Sequence, residues 1–498
     1  MKRARARNHL PGWGVFLFFA CLYALSIGRG FYSSDGEVMF QTTAALAERG
    51  TFALAPDPAL PQIAPGQQGR SYNKYDPGLP LLGVPFYVAG DWIARINAAH
   101  RYRLAATWVL LIPALAAAGA VAALAQILRC ASPPVPIEWR GGEGPHATDR
   151  SEQVTRRVIL AAGLSTPLWP YGRMLFAEAT LACALTVAVA ALARFTPPLH
   201  PLPAGREGTS ARVRLHSWLV LGGLAFGVGI LTRAALAIYA PALALLIARQ
   251  GPTGRARDVA ARWAAFAAGT VPFVAILLWH NALRFGDPLQ FGYTGEGFTT
   301  PPWEGAVGLL FSPGKSVFLY APPLLLSVAL WPRFRRMAPA LADVLALAWG
   351  TALLFYGAWW AWHGGWSWGP RLLVPLMPLS CLPLAALPDS RPWHWLGSAL
   401  IVAGIAAQLP GVLTDVTPHY AERAINGETD YAAIHYDPRQ SPLVGGTERL
   451  IRGDTEPLGM FHLSDTGLPP TWTLGAPALL ILGLITGATT VWRKRTVA

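Results

Sequence analysis

Apolar stretches, many near 20 residues long, recur along the 498-residue chain, separated by short Arg-rich or Trp-rich linkers. They lie near Trp13–Ile27, Gly78–Ile96, Leu104–Leu128, Val158–Trp169, Ala179–Ala193, Trp218–Leu231, Leu236–Ile247, Trp263–Trp279, Val307–Leu330, Leu341–Trp360, Leu372–Leu387, Trp395–Leu409 and Leu474–Val491. Roughly 20 residues of helix cross the hydrocarbon core of a bilayer. The runs do not alternate apolar and polar residues, so helices are favoured over a closed barrel. The pattern predicts an all-α polytopic membrane protein with roughly 12 to 14 spans. The shortest runs, such as Val158–Trp169, have to extend further or enter the membrane without crossing it.

Three polar segments interrupt this pattern: Gly28–Pro77, Asn281–Glu304 and Gly411–Thr471. The expected division is a transmembrane module over residues 1–410, with a first outside loop at 28–77. An outside C-terminal loop at 411–471 follows, then a last span and cytoplasmic tail at 472–498. Within the first loop, Glu37–Arg49 reads as a surface helix ended by Gly50. Pro- and Gly-rich linkers at Ala131–Gly144 and Thr196–Thr209 read as disordered cytoplasmic insertions.

The composition is 53% hydrophobic and 13% charged, with a net charge of +13. The positive residues cluster in linkers: Lys2, Arg3, Arg5 and Arg7; Arg249, Arg255, Arg257 and Arg262; Arg333, Arg335 and Arg336; and Arg493, Lys494 and Arg495. Cytoplasmic linkers carry such an excess, which places the three polar segments outside and argues against nucleic acid as a partner. The alternation holds from Arg157 onward. Between Gly78 and Arg157 one crossing is miscounted, and a bent pair around Pro113 would restore the count. The basic start and the apolar run Trp13–Ile27 read as an uncleaved first span. Cys21, Cys130, Cys183 and Cys381 have no metal-ligand spacing and imply neither a disulfide framework nor a metal site.

The candidate chemistry sits at the edges of the apolar runs. Asp35 and Glu37, in Ser33-Ser34-Asp35-Gly36-Glu37, follow the first span. Carboxylates there suit a general base taking a proton from a hydroxyl, or they cap the surface helix. Lys74 and Tyr75 precede the second run, where a cation can meet a lipid phosphate or extend to the headgroups. Arg173, Glu178, Arg233 and Arg371 lie within or beside apolar sequence. Ionisable groups are costly there and are functional candidates, with pairing such as Arg173 with Glu178 as the structural alternative. The Trp-dense segment Trp359–Trp368, with Trp366 after Gly364-Gly365, is either an interfacial belt or a pocket wall, and its glycines favour the wall. His363 reads as an interfacial residue.

The order of these motifs resembles the bacterial GT-C-fold glycosyltransferases that use polyprenyl-phosphate sugars, including protein mannosyltransferases (glycosyltransferase family 39) and aminoarabinose transferases. The resemblance rests on Asp35-Gly36-Glu37, Lys74-Tyr75-Asp76-Pro77-Gly78, and Leu168–Arg173 with Glu178. It continues through Asn281–Pro288 leading to Gly292-Tyr293, and ends with Gly364–Arg371. It implies a GT-C-like bundle and a catalytic base at Asp35, with Glu37 standing beyond an intervening glycine. It also implies a lipid-phosphate contact at Lys74, and substrate-binding roles for Tyr75, Arg173, Glu178, Arg233, Asn281, Tyr293, Trp366 and Arg371. The implied activity is transfer of a sugar from a polyprenyl-phosphate carrier to an acceptor hydroxyl in the cell envelope, at the outer face of a bacterial inner (plasma) membrane. The implied partners are the lipid-linked donor, membrane lipid and a glycan, lipid or protein acceptor. The residues call for no metal cofactor, although the resemblance allows a divalent ion. A transporter or flippase of a lipid-linked glycan is the alternative. It calls for broken helices and charges near the bilayer midplane and an internal repeat, and no repeat is visible.

Overall fold

The computed structural model describes residues 10–131, 145–194, 209–249, 256–425, 428–456 and 458–492. Lys2, Arg3, Arg5, Arg7, Arg255, Arg493, Lys494 and Arg495, and most of the linkers Ala131–Gly144 and Thr196–Thr209, lie outside these residues. Among the described residues, five helices are long and apolar enough to cross a bilayer: Ala98–Cys130, Ala256–Phe285, Pro339–Ala358, Arg391–Leu413 and Pro470–Trp492. Six shorter apolar helices accompany them: Gly12–Leu25, Gly78–Ala94, Ala177–Ala193, His216–Thr232, Ala234–Ala248 and Arg371–Ala386. Leu479, Leu482 and Ile485 of the last helix, like Trp279 and Leu354, stay exposed. In water such a surface would be costly, and lipid is its solvent. The chain is a multi-pass helical membrane protein.

Glycines set how closely the helices approach. Helix α1 (Gly12–Leu25) packs antiparallel to Gly475–Trp492, with Gly483 on Cys21 and Gly487 on the Phe18 backbone. Thr209–Thr232 crosses Ala256–Phe285 at Gly223 and Gly269, where a Cβ would come within 2.0 Å of Phe266 O or 2.3 Å of Val220 O. Small residues at such crossings bring backbones together where lipid supplies no hydrophobic drive.

The first polar loop, residues 28–77, is more structured than the sequence suggests. Helix α2 (Ser34–Arg49) is capped by Ser33, whose Oγ accepts from Gly36 N at 3.2 Å, and it stops at Gly50 in the left-handed region. A small antiparallel sheet follows, built from β1 (Ala53–Leu54), β2 (Ile63–Pro65) and β3 (Ser71–Asn73) in the order β1-β3-β2. It delivers Lys74 and Tyr75 to the start of α3 (Gly78–Ala94).

Helix α3 explains the failed count of crossings. It runs alongside α2 in the same direction. Tyr75 meets Asp35 at one end, Gly83 sits on Thr43 midway, and Tyr87 Oη donates to Glu48 at 2.5 Å near the other. The chain then turns back into α4 (Arg101–Val109). Arg101 bonds both Glu48 and Asp91, while Arg103 and Arg29 converge on Asp465. Since Arg29 lies just beyond α1, α3 leaves and returns to one side of the bundle. The crossing is then made by α4 with α5 (Leu111–Ala131), one apolar rod broken only at Leu110. The bent pair around Pro113 is therefore not formed. Pro113 falls in the first turn of α5, where its missing N–H has no intrahelical partner to lose.

The run Val307–Leu330 also departs from expectation. Pro313-Gly314 and Pro322-Pro323 break it into Pro302–Phe311, Val317–Tyr320 and Pro323–Ala329. The run Val158–Trp169 is split between Pro145–Leu164 and the short helix Leu168–Tyr171, and Pro145–Leu164 is not among the helices long and apolar enough to cross a bilayer.

Gly78 fixes α3 against the end of Thr209–Thr232. A Cβ there would stand 2.5 Å from Thr232 N and 2.6 Å from Leu231 C, both backbone atoms that cannot swing away. Gly78→Ala should therefore destabilise the protein by about 1–3 kcal/mol. Thermal unfolding in detergent measures this, and an unchanged melting temperature would contradict the close packing.

Candidate active site

Four of the sequence candidates, Asp35, Lys74, Arg233 and Tyr293, converge on a fifth, Tyr75. Its hydroxyl donates to Asp35 Oδ1 at 2.5 Å. Over its ring stand two cations, Lys74 Nζ and the Arg233 guanidinium, each 5.5 Å from the centroid. The Tyr293 ring meets it edge-on at 6.4 Å and lies 5.3 Å from Lys74 Nζ. Cations are drawn to the negative face of an aromatic ring. Tyr75 thus joins a carboxylate to two cations.

Behind Tyr75 lies a buried ion network. Arg371 donates through Nη1 to Asp35 Oδ2 at 2.8 Å and through Nε to Glu178 Oε1 at 2.7 Å. Arg233 Nη1 shares that Glu178 oxygen at 2.9 Å. Glu178, in the first turn of Ala177–Ala193, is 1% exposed. Lys74 has its own carboxylate, Glu296 Oε1, at 2.6 Å, and Glu296 Oε2 accepts from Trp360 Nε1 at 3.1 Å. Each cation in the cluster therefore has a carboxylate partner.

Asp35 is also hydrogen-bonded by Gln62 Nε2 at 2.9 Å. Burial alone would raise its carboxyl, but the Arg371 guanidinium, the Tyr75 hydroxyl and Arg233 outweigh it and hold the group below the usual carboxylate range. It is ionised at neutral pH. Asp76, two residues beyond Lys74, behaves oppositely. Burial pushes it up to about 6, against the Ala234 N–H that it accepts at 2.7 Å and the charges of Arg284 and Arg233.

A supporting layer fixes the Lys74–Tyr75 strap. Arg284, buried at the end of Ala256–Phe285, donates to Asn73 O and to Tyr75 O at 2.9 Å. Asn281 Oδ1 holds Arg284 at 2.7 Å, so Asn281 acts through Arg284 rather than on the Tyr75 cluster. Gly292, at φ 78°, lets the chain pass against the Lys74 backbone; a Cβ would lie 2.9 Å from Lys74 O. That close approach sets Tyr293 beside Lys74.

The Trp-rich segment leads into Arg371. Gly364, Gly365 and Gly369 all take positive φ and fold residues 364–371 into a loop that ends in Arg371. Trp368 is fully buried, its Nε1 donating to Gln408 Oε1 at 3.2 Å, and Trp366 stacks on Tyr420 at 5.9 Å and 12°. Trp366 and Trp368 pack inside the protein, while Trp360 of the same segment stays exposed. His363 is buried as well, against Tyr431 at 4.1 Å and His435 at 4.7 Å, and not interfacial as its sequence position suggested.

Glu37 and Arg173, like Asn281 and Trp366, fall outside the cluster. Glu37 turns to Gln41 Nε2 at 3.0 Å and to the Tyr102 hydroxyl. Arg173, fully buried, donates to Tyr32 Oη at 2.5 Å and pairs with Glu456 at 3.4 Å, leaving Glu178 to Arg233 and Arg371. Gln62, Asp76, Glu296 and Lys315 were not singled out from sequence. Lys315, a lone cation inside the run Val307–Leu330, meets the same criterion that selected Arg233. Among the described residues, no group of three or more His, Cys, Asp or Glu side chains is placed to hold a metal ion. Both Asp35 oxygens are occupied by donors, one of them a guanidinium, which does not suit a divalent cation needing several oxygen ligands.

The architecture has solved counterparts. ArnT from Cupriavidus metallidurans in the apo state matches at a TM-score of 0.50 and 17% identity, over 97% of this chain and 78% of that one. ArnT of the same organism bound to undecaprenyl phosphate matches at 0.50 and 18%, with the same coverage. The chain has the GT-C fold. The archaeal oligosaccharyltransferase AglB from Archaeoglobus fulgidus, in complex with an inhibitory peptide and a dolichol-phosphate, matches at 0.44 and 11%, over 97% of this chain and 56% of that one. No family model matches the chain, and no curated protein matches it significantly. In this GT-C bundle the Tyr75 cluster lies where the first polar loop meets the start of Ala177–Ala193 and the loop 364–371.

Proposed function

We propose that this protein is a glycosyltransferase that moves a sugar from a polyprenyl-phosphate carrier to an acceptor hydroxyl at the outer face of a bacterial inner membrane. One observation carries the reading: an ionised carboxylate, Asp35, and two cations, Lys74 and Arg233, are grouped around a single tyrosine ring in a GT-C fold. The ArnT structure that holds undecaprenyl phosphate supports a lipid phosphate as the donor's leaving group.

In the proposed reaction the acceptor oxygen attacks the anomeric carbon as the bond from that carbon to the phosphate oxygen breaks. The bonding pair leaves with the phosphate, and the acceptor's proton passes to Asp35. The configuration at carbon inverts. Asp35 stays ionised and accepts the hydroxyl's hydrogen bond throughout the approach. The departing phosphate gains charge, which Lys74 and Arg233 are positioned to offset. Glu296 occupies Lys74 meanwhile, and an arriving phosphate replaces it as the lysine's counterion. The arginines and Lys74 supply the charge stabilisation, and no step is routed through a metal.

Lys74→Met tests the phosphate contact. It should raise KM for a labelled polyprenyl-phosphate sugar by about tenfold or more, the value of one charge-assisted contact. Unchanged donor affinity would remove Lys74 from the site.

A further inference from the structure

Lys315 is fully buried, yet among the described residues no carboxylate pairs with it. Its Nζ contacts only neutral acceptors: Gly365 O at 3.2 Å, Ser367 O at 2.9 Å and Ser367 Oγ at 3.0 Å. The Tyr420 ring lies 5.5 Å away. A buried amine whose partners are all neutral is an expensive way to fill space, and a methionine would fill it without that cost. The three bonds are what distinguish the lysine.

All three acceptors lie on the loop that carries Arg371. Three of its residues are glycines in the left-handed region, so the backbone has unusual freedom to settle elsewhere. External bonds hold it. Tyr420 Oη donates to Ser367 O at 2.9 Å, Tyr171 Oη donates to Trp368 O at 3.0 Å, and Lys315 spans Gly365 to Ser367. Gly364 packs directly on Arg371, where a Cβ would lie 3.1 Å from Arg371 Cβ. From this loop Arg371 reaches Asp35 and Glu178.

We propose that Lys315 is a positioning residue, which fixes the Gly364–Ser367 backbone so that Arg371 is held against Asp35. The proposal deepens the transferase reading and rests on it for its effect on turnover, while its structural content can be measured without turnover. The charged and titratable groups facing Asp35 are Arg371, Arg233, Tyr75 and Tyr293. Arg371 favours the ionised carboxylate. If the loop loosens, burial acts against a weaker ion pair and the Asp35 midpoint rises.

The experiment titrates purified Lys315→Met in detergent and follows the infrared band of the protonated Asp35 carboxyl, assigned by its loss in Asp35→Asn. The expected result is an upward shift of about one pH unit in the midpoint. The acid limb of sugar transfer should move in the same direction. A role in folding alone lowers the yield of protein and leaves the midpoint in place. A folded Lys315→Met protein with the wild-type midpoint overturns the proposal. Should that variant not fold, Ser367→Ala removes one acceptor without touching charge. A smaller upward shift then supports the proposal, and none overturns it. Absence of transfer by the wild-type protein defeats the transferase reading and leaves the titration valid.

Discussion

Asp35→Asn is expected to abolish sugar transfer while the protein still folds and still binds its lipid donor. The amide keeps the size of the carboxylate and can still accept from Tyr75 and Gln62, which donate to Oδ1 at 2.5 and 2.9 Å. It cannot take up the acceptor's proton. Losing a general base typically lowers the rate by about a hundred- to ten-thousandfold. A role confined to capping α2 would survive the change, and the cap in any case belongs to Ser33. The measurement is transfer from a labelled polyprenyl-phosphate sugar, with donor binding followed separately. Glu37→Gln is the matched control, because Glu37 is held by Gln41 and Tyr102 away from the cluster. Wild-type rates for Asp35→Asn would end the catalytic assignment, and loss of transfer in Glu37→Gln alone would move it to Glu37.

Glu178→Gln should have the largest effect on stability. One oxygen of Glu178 accepts from both Arg233 and Arg371, at 2.9 and 2.7 Å, and the side chain is almost wholly buried. Arg371 keeps Asp35 when Glu178 is neutralised. Arg233 loses its carboxylate and is left facing a second guanidinium. Removing one member of a buried ion network leaves an uncompensated charge and costs about 3–5 kcal/mol. A fall in melting temperature and poor recovery from membranes are the expected readouts. Wild-type melting behaviour would mean that another anion or water neutralises Arg233, and that the network contributes little to the fold.

Part of the cluster was legible because ionisable groups beside apolar runs are costly, so each one marks a candidate site. That argument selected Glu178, Arg233 and Arg371, together with Arg173, which falls outside the cluster, and the same rule covers Lys315; Asp35 was legible as a carboxylate just after the first span and Lys74 as a cation just before the second run. It could not say who pairs with whom. Arg371 meets a carboxylate more than three hundred positions earlier in the chain, and Glu178 goes to Arg233 instead of the nearby Arg173. Such pairings depend on how helices approach, which the Gly223–Gly269 crossing governs and periodicity does not express. The fold was read at the same level. Helices and a multi-pass bundle follow from the length and composition of the runs. The course of α3 does not, since 17 apolar residues can cross a membrane or lie beside a surface helix. Contacts with Glu48 and Thr43 decide it, and these belong to another element. The sheet in the first loop, with strands of two or three residues, is too short to leave a periodic signal.

The pairing of α1 with Gly475–Trp492 bears on how the protein is made. A chain emerging at about 5–20 residues per second needs tens of seconds between α1 and Gly475–Trp492. For that time Cys21 and Phe18 of α1 are without Gly483 and Gly487, their contacts in the finished fold. The residues that anchor the first loop from the far end, Glu456 on Arg173, Gly459 N on Ile27 O and Asp465 on Arg29, arrive only shortly before the last helix. The nascent chain therefore carries Asp35, Lys74 and Arg371 before these anchors have been made, and the contacts at the start of the first loop are completed only after residues 456–465 have been added.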